Sequence, residues 1–165
     1  MSARQIILLL EKLVDLHKNL GELANSKTEI IKKGDIGALQ GLLLEEQKLI
    51  KAIQSLEKER ETVTREMVDK AGAADEAFTI TRVIEYSSTS EAEALQELKD
   101  ELLEEVAKLK DRNHLNQQLL QQSLQFLNIS MELLVPREQT YNYERPAQPI
   151  NVDQNAIKSI FDSKA

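Results

Sequence analysis

Residues 6–35 read IILLLEKLVDLHKNLGELANSKTEIIKKGD, and this stretch decides the fold. Ile6, Leu9, Leu13, Leu16, Leu20, Leu23, Lys27 and Ile30 recur at alternating steps of three and four, a heptad-like seam that is apolar everywhere except at Lys27. Lys12, Lys18, Glu22 and Glu29 fall off the seam. The spacing predicts a helix to about Lys33, with the Lys27 ammonium reaching water past its aliphatic stem. Upstream, Ser2 with Gln5 reads as a capping box. Gly34 then suits the left-handed residue that ends a helix, and Asp35 suits the cap of the next. So short a connection forces antiparallel neighbours.

Beyond the turn the period resumes at Leu39, Leu42, Glu46, Leu49, Ile53, Leu56, Arg60, Val63 and Met67. Pairing about the turn sets Leu20 near Leu49, Leu16 near Ile53 and Leu13 near Leu56. Gly37, Ala38 and Gly41 either let the two backbones approach closely or simply weaken the helix start. Glu46 and Arg60 interrupt the stripe. The favoured reading places both at its edge with their charges in water; the alternative has them fix register with polar partners on another helix.

Residues 69–90 are irregular. Lys70 to Ala74 is a break, and Phe78, Ile80, Val83 and Ile84 predict a short helix that lids one end of a bundle. Ser90 with Glu93 reads as a second capping box. A third long helix follows from about Glu91 to Leu134. Its stripe is Leu95, Leu98, Leu102, Val106 and Leu109, then Asn113 and Asn116, then Leu120, Leu124, Leu127, Met131 and Leu134. It exceeds either arm of the first hairpin, so one end is expected to project, kink or pair with another chain. The fold class is therefore all-α: an antiparallel bundle of three long helices over residues 1–134, with one short helix. Residues 135–165, with Pro136, Pro146 and Pro149, are expected to form a flexible C-terminal tail. Within it Ile150, Val152, Ile157, Ile160 and Phe161 can form an amphipathic turn or two on a partner.

Composition agrees and excludes several functions. The 165 residues include 25 Leu and 20 Glu but only 5 Gly and 3 Pro, a balance that disfavours sandwiches and barrels. With no cysteine there is no disulfide and no thiol nucleophile. The net charge of −7 argues against a nucleic-acid partner. That surplus lies in residues 69–134, which hold 13 acids and 6 bases. Glu91, Glu93, Glu97, Asp100, Glu101, Glu104 and Glu105 read as a solvated face, or else as a surface that attracts a basic partner. The longest apolar run, Ile6 to Leu10, is too short to insert in a membrane and lacks the flanks of a signal peptide, so the chain is expected to be soluble and cytoplasmic. No phosphate loop, Gly-x-Ser-x-Gly or His-Glu-x-x-His occurs. The nearest metal motif, Asp111-x-x-His114, is single. No enzyme activity, cofactor or metal is expected.

Three stretches together resemble the FlgN family of flagellar type III export chaperones. The hairpin KKGDIGALQGLLLEEQKLIKAIQSLEKER resembles the family's opening. LKDRNHLNQQLLQQSLQFLN is similar to its Asn-x-x-Asn-x-x-Leu-Leu-x-x-Ser stretch, at Asn113, Asn116, Leu119, Leu120 and Ser123. TYNYER, at 140–145, resembles its Thr-Tyr element, with Pro146 standing where the family has a glycine nearby. The resemblance covers about residues 1–145. It implies a small helical cytoplasmic protein that holds hook-associated (hook–filament junction) proteins and brings them to the export gate platform. Client contact is then expected at Leu120, Leu124, Leu127, Met131 and Leu134, with Ile157, Ile160 and Phe161. The same α-helical leucines have a second reading as bundle core. Tyr141 is expected to contact the export gate. The rival from another class is a structural coiled-coil adaptor that self-associates through its leucine seams, which leaves a homodimer of the free protein open.

Overall fold

The computed structural model describes residues 3–72 and 79–134. These form four helices: α1 (Ala3–Lys33), α2 (Ile36–Lys70), α3 (Ile80–Glu85) and α4 (Thr89–Leu134). There is no strand among the described residues. The Ser2 cap, Phe78 and everything after Leu134 lie outside them.

The α1–α2 turn follows from two residues. Gly34 has φ +71°, and its N–H donates to Ile31 C=O at 3.1 Å while Asp35 N–H donates to Ile30 C=O at 3.3 Å. These are the two bonds of a Schellman end, which needs the left-handed residue that glycine adopts freely. Asp35 is extended, and its carboxylate accepts from Ala38 N–H at 2.9 Å, capping α2. Asp35→Ala is expected to destabilise the protein by about 1 kcal/mol, read from urea unfolding. Gly37 and Gly41 have room for a Cβ, so they do not mark a close backbone approach.

α1 is the central helix. It packs along both α2 and α4, which hardly touch each other. Its buried positions explain this. Ile6, Leu9, Leu13, Leu20 and Lys27 are buried as the seam predicts, but the other buried companions are Leu10, His17, Ala24 and Ile31. Leu16, Leu23 and Ile30 are only half-buried. One heptad row faces both neighbours, and the second row lies four residues on rather than three. His17 is accommodated by donating Nδ1–H to Leu13 C=O at 2.8 Å.

The main core gathers Ile6, Leu10 and Leu13 with Val63 of α2, Val83 of α3 and Leu95 of α4, flanked by Ile53, Leu56 and Leu98. Val83 is fully buried, so the short helix does lid this end. A second cluster joins Leu20, Ala24 and Leu109, with Leu49 packed against it. Leu20 thus meets Leu49, and Leu13 shares a cluster with Leu56, as pairing about the turn requires. The cap of α4 differs from expectation. Ser88, not Ser90, makes the bond to a carboxylate three residues on: its N–H donates to Glu91 at 3.4 Å, the backbone half of a capping box, and its Oγ–H donates to the same carboxylate at 2.8 Å. In the run SSTSE the box closes two residues early because α4 begins at Thr89.

Two polar positions correct the sequence reading. Lys27 does not reach water: its Nζ donates to both oxygens of Glu46, at 2.6 and 2.7 Å, and both residues are buried. Glu46 is therefore the register-fixing residue rather than an edge residue. Arg60 does behave as an edge residue, paired with Glu57 of its own helix.

Candidate functional site

α4 runs parallel to α1, and its register is set by a buried polar cluster. The Thr28 hydroxyl donates to Asn116 Oδ1 at 2.6 Å, and Asn116 Nδ2 donates to Ala24 C=O at 2.9 Å. Asn116 is 1% exposed. Lower down, Lys18 pairs with Glu101 at 2.6 Å. That hydrogen bond holds the Lys18 ammonium above the usual lysine range, although an exposed pair adds little stability. Counting from Thr28 and Asn116, the last residue of α1, Lys33, lies level with about Gln121. At 1.5 Å per residue the remainder of α4 projects about 20 Å past the α1–α2 turn.

Burial follows this geometry. Leu95, Leu109 and Asn116 are buried and Leu120 is half-buried. Exposure then rises through Leu124 (45%), Leu127 (55%) and Met131 (64%) to Leu134 (80%). The one stripe that reads as continuous in sequence is bundle core in its first half and bare in its second. Among the described residues the stripe is no longer core beyond Leu120. Phe126, Ile129 and Leu133 are exposed as well.

Where the projection leaves the bundle, it and the turn enclose an open, mainly apolar cleft of about 720 Å³. Ile30, Ile31, Ile36 and Leu39 form one wall; Leu119, Leu120, Leu124, Phe126 and Leu127 form the other. The structure thus brings Leu120, Leu124 and Leu127 together with residues not assigned a role in the sequence reading, chiefly Ile36, Leu119 and Phe126. A signal was present for Ile36, an isoleucine placed directly after a helix cap at a tight turn. Met131 and Leu134 lie further out. Tyr141, Ile157, Ile160 and Phe161 lie outside the described residues. No group of three or more His, Asp or Glu able to hold a metal occurs among the described residues. Nor is any described helix long and apolar enough to cross a membrane.

A helical hairpin with a long third helix is the architecture that the sequence anticipates; the bare apolar end beyond a buried Asn116 is what the structure adds. The family model described as FlgN protein matches residues 1–149. The chain belongs to the FlgN family. Among its relatives is an uncharacterized protein, YvyG, of Bacillus subtilis (strain 168), 36% identical over 165 residues, which are the whole of both chains. No solved structure matches the chain significantly. FlgN membership supports a flagellar export chaperone role in general.

Proposed function

We propose that this FlgN-family chain is a cytoplasmic, non-enzymatic chaperone that binds hook-associated junction proteins on the projecting end of α4 and delivers them to the export gate platform. Leu120, Leu124, Leu127, Met131 and Leu134 are the client anchors, supplemented by Ile157, Ile160 and Phe161. Tyr141 makes the contact with the gate. The observation that carries the reading is the apolar end of α4, more than 45% exposed from Leu127 to Leu134 at each anchor and continuous with the cleft at the turn. An amphipathic helix of a client docks in such a groove through anchors at i, i+3, i+4 and i+7.

Leu127→Asp and Met131→Asp test it. Both side chains are exposed, so each variant should retain its unfolding free energy within about 0.5 kcal/mol. Each should weaken binding of a purified junction protein tenfold or more, on the order of 1.4 kcal/mol, by isothermal calorimetry. Unchanged client affinity would remove this surface from consideration. Tyr141→Ala should leave client binding intact and weaken binding to the gate's cytoplasmic domain, with Tyr143→Ala as control.

A further inference from the structure

The outer part of α4 is wider in its apolar character than one partner requires. At about 100° per residue, its apolar side chains from Leu119 to Leu134 span an arc of about 220°, whereas a helix that buries one face needs about 100°. The segment is also nearly free of charge. From Asn113 to Leu134 the only charged residue is Glu132, although the chain carries −7 overall.

The pattern has a further property. Residues 119–134, LLQQSLQFLNISMELL, read nearly the same in either direction when only polarity is considered. About a centre between Phe126 and Leu127, Leu119 mirrors Leu134, Leu120 mirrors Leu133, Ser123 mirrors Ser130 and Leu124 mirrors Ile129. Only Gln122 with Met131 mismatches. On the helix surface Leu119, Ser123, Phe126, Leu127, Ser130 and Leu134 form one row, and that row is symmetric about its midpoint.

We infer that this row is an interface with a second copy of the chain, the two α4 ends lying antiparallel across a two-fold axis at Phe126–Leu127. In an isologous contact the same patch serves both subunits, so residue i faces its mirror residue on the partner copy. Here every apolar residue of the row then meets an apolar residue, and the two serines meet each other, leaving space beside the Phe126 rings. The second copy's Leu134 end comes level with Leu119, where the cleft holds Ile36, itself 71% exposed.

Charge selects this arrangement over a parallel one. The acidic run Glu91–Glu105 lies more than 20 residues from the axis, so antiparallel pairing holds the two runs roughly 60 Å or more apart. That is far beyond the Debye length of about 8 Å at physiological salt. Parallel pairing would set the runs side by side. Leu127 and Leu134 belong both to this row and to the client anchors, so the test uses Ser123, Phe126 and Ser130, which are not anchors, and dimerisation and client binding are measured separately.

The full-length chain has no cysteine, so introduced thiols report the register. Sedimentation velocity across the micromolar range should show a monomer–dimer equilibrium for the wild-type chain. Phe126→Asp should retain its helicity and weaken the dimer tenfold or more. An equimolar mixture of Ser123→Cys and Ser130→Cys chains should form an intermolecular disulfide under mild oxidation. Each variant alone should not, because Ser123 and its symmetry mate stand seven residues, about 10 Å, apart along the axis. A wild-type chain that stays monomeric throughout the range would overturn the inference. So would crosslinking of Ser123→Cys alone as efficiently as the mixture, or a Phe126→Asp chain that dimerises as well as wild type.

Discussion

Lys27→Ala is expected to destabilise the protein by about 3–5 kcal/mol, because it leaves the Glu46 carboxylate buried without the ammonium that both its oxygens accept from. For a chain of this size that lowers the midpoint of thermal unfolding by on the order of 10 °C. The reverse test separates a broken pair from a beneficial one. Changing both partners together, Lys27→Met with Glu46→Leu, removes two desolvated charges and fills the same space. That double variant is expected to match the wild type or exceed its stability by about 1–4 kcal/mol. A loss below about 1 kcal/mol for Lys27→Ala, measured by urea denaturation, would mean that water reaches the pair.

Asn116→Asp is expected to cost about 3 kcal/mol or more near pH 8, with almost no change in side-chain shape. The amide nitrogen that donates to Ala24 C=O at 2.9 Å becomes an oxygen, so two acceptors face each other in a buried site unless the new carboxyl carries a proton. The sign of the pH dependence follows. The native state favours the protonated acid, so its pKa there is raised above the unfolded value of about 3.9. The loss relative to wild type is therefore small below that value. It grows by about 1.4 kcal/mol per pH unit above it, until the native-state pKa is passed. Unfolding curves of variant and wild type at pH 8 and pH 6 should show the gap narrowing at the lower pH. A gap independent of pH would mean that the site simply rearranges around the ion.

These two positions also mark how far the sequence could be read. Asn116 was visible on the inner face of the third helix, but its partners Thr28 and Ala24 were not, since they lie on a helix separated by about ninety residues and a register no local rule supplies. Lys27 and Glu46 were each visible as interruptions of a leucine stripe. Read singly, each is better placed at an edge, with its charge in water. Only their mutual distance makes burial the lower free-energy arrangement. Past Leu9, which is buried as read, the companions of the first seam were misplaced by one position for a related reason. A row at every seventh residue is common to two stripes, one adding Leu9, Leu16, Leu23 and Ile30, the other Leu10, His17, Ala24 and Ile31. Hydrophobicity favours the first. Packing α1 between two helices chooses the second, where the small Ala24 and the self-satisfied His17 fit.

The sequence by itself determined the helices and most of their ends, the start of α4 excepted, because those depend on neighbours within a turn or two. The three–four period marks the bodies, Gly34 and Asp35 mark the hairpin, and the glycine-containing break after Lys70 marks the end of α2. It also narrowed what the surplus length of α4 could do, since 46 residues against 31 and 35 in the hairpin arms must project, kink or pair with another chain. Tertiary structure alone decided which end projects and therefore which leucines are bare. A Leu at the end of α4 and a Leu at its start have the same local sequence signature. They differ only in whether α1 continues far enough to cover them, and α1 ends at Lys33.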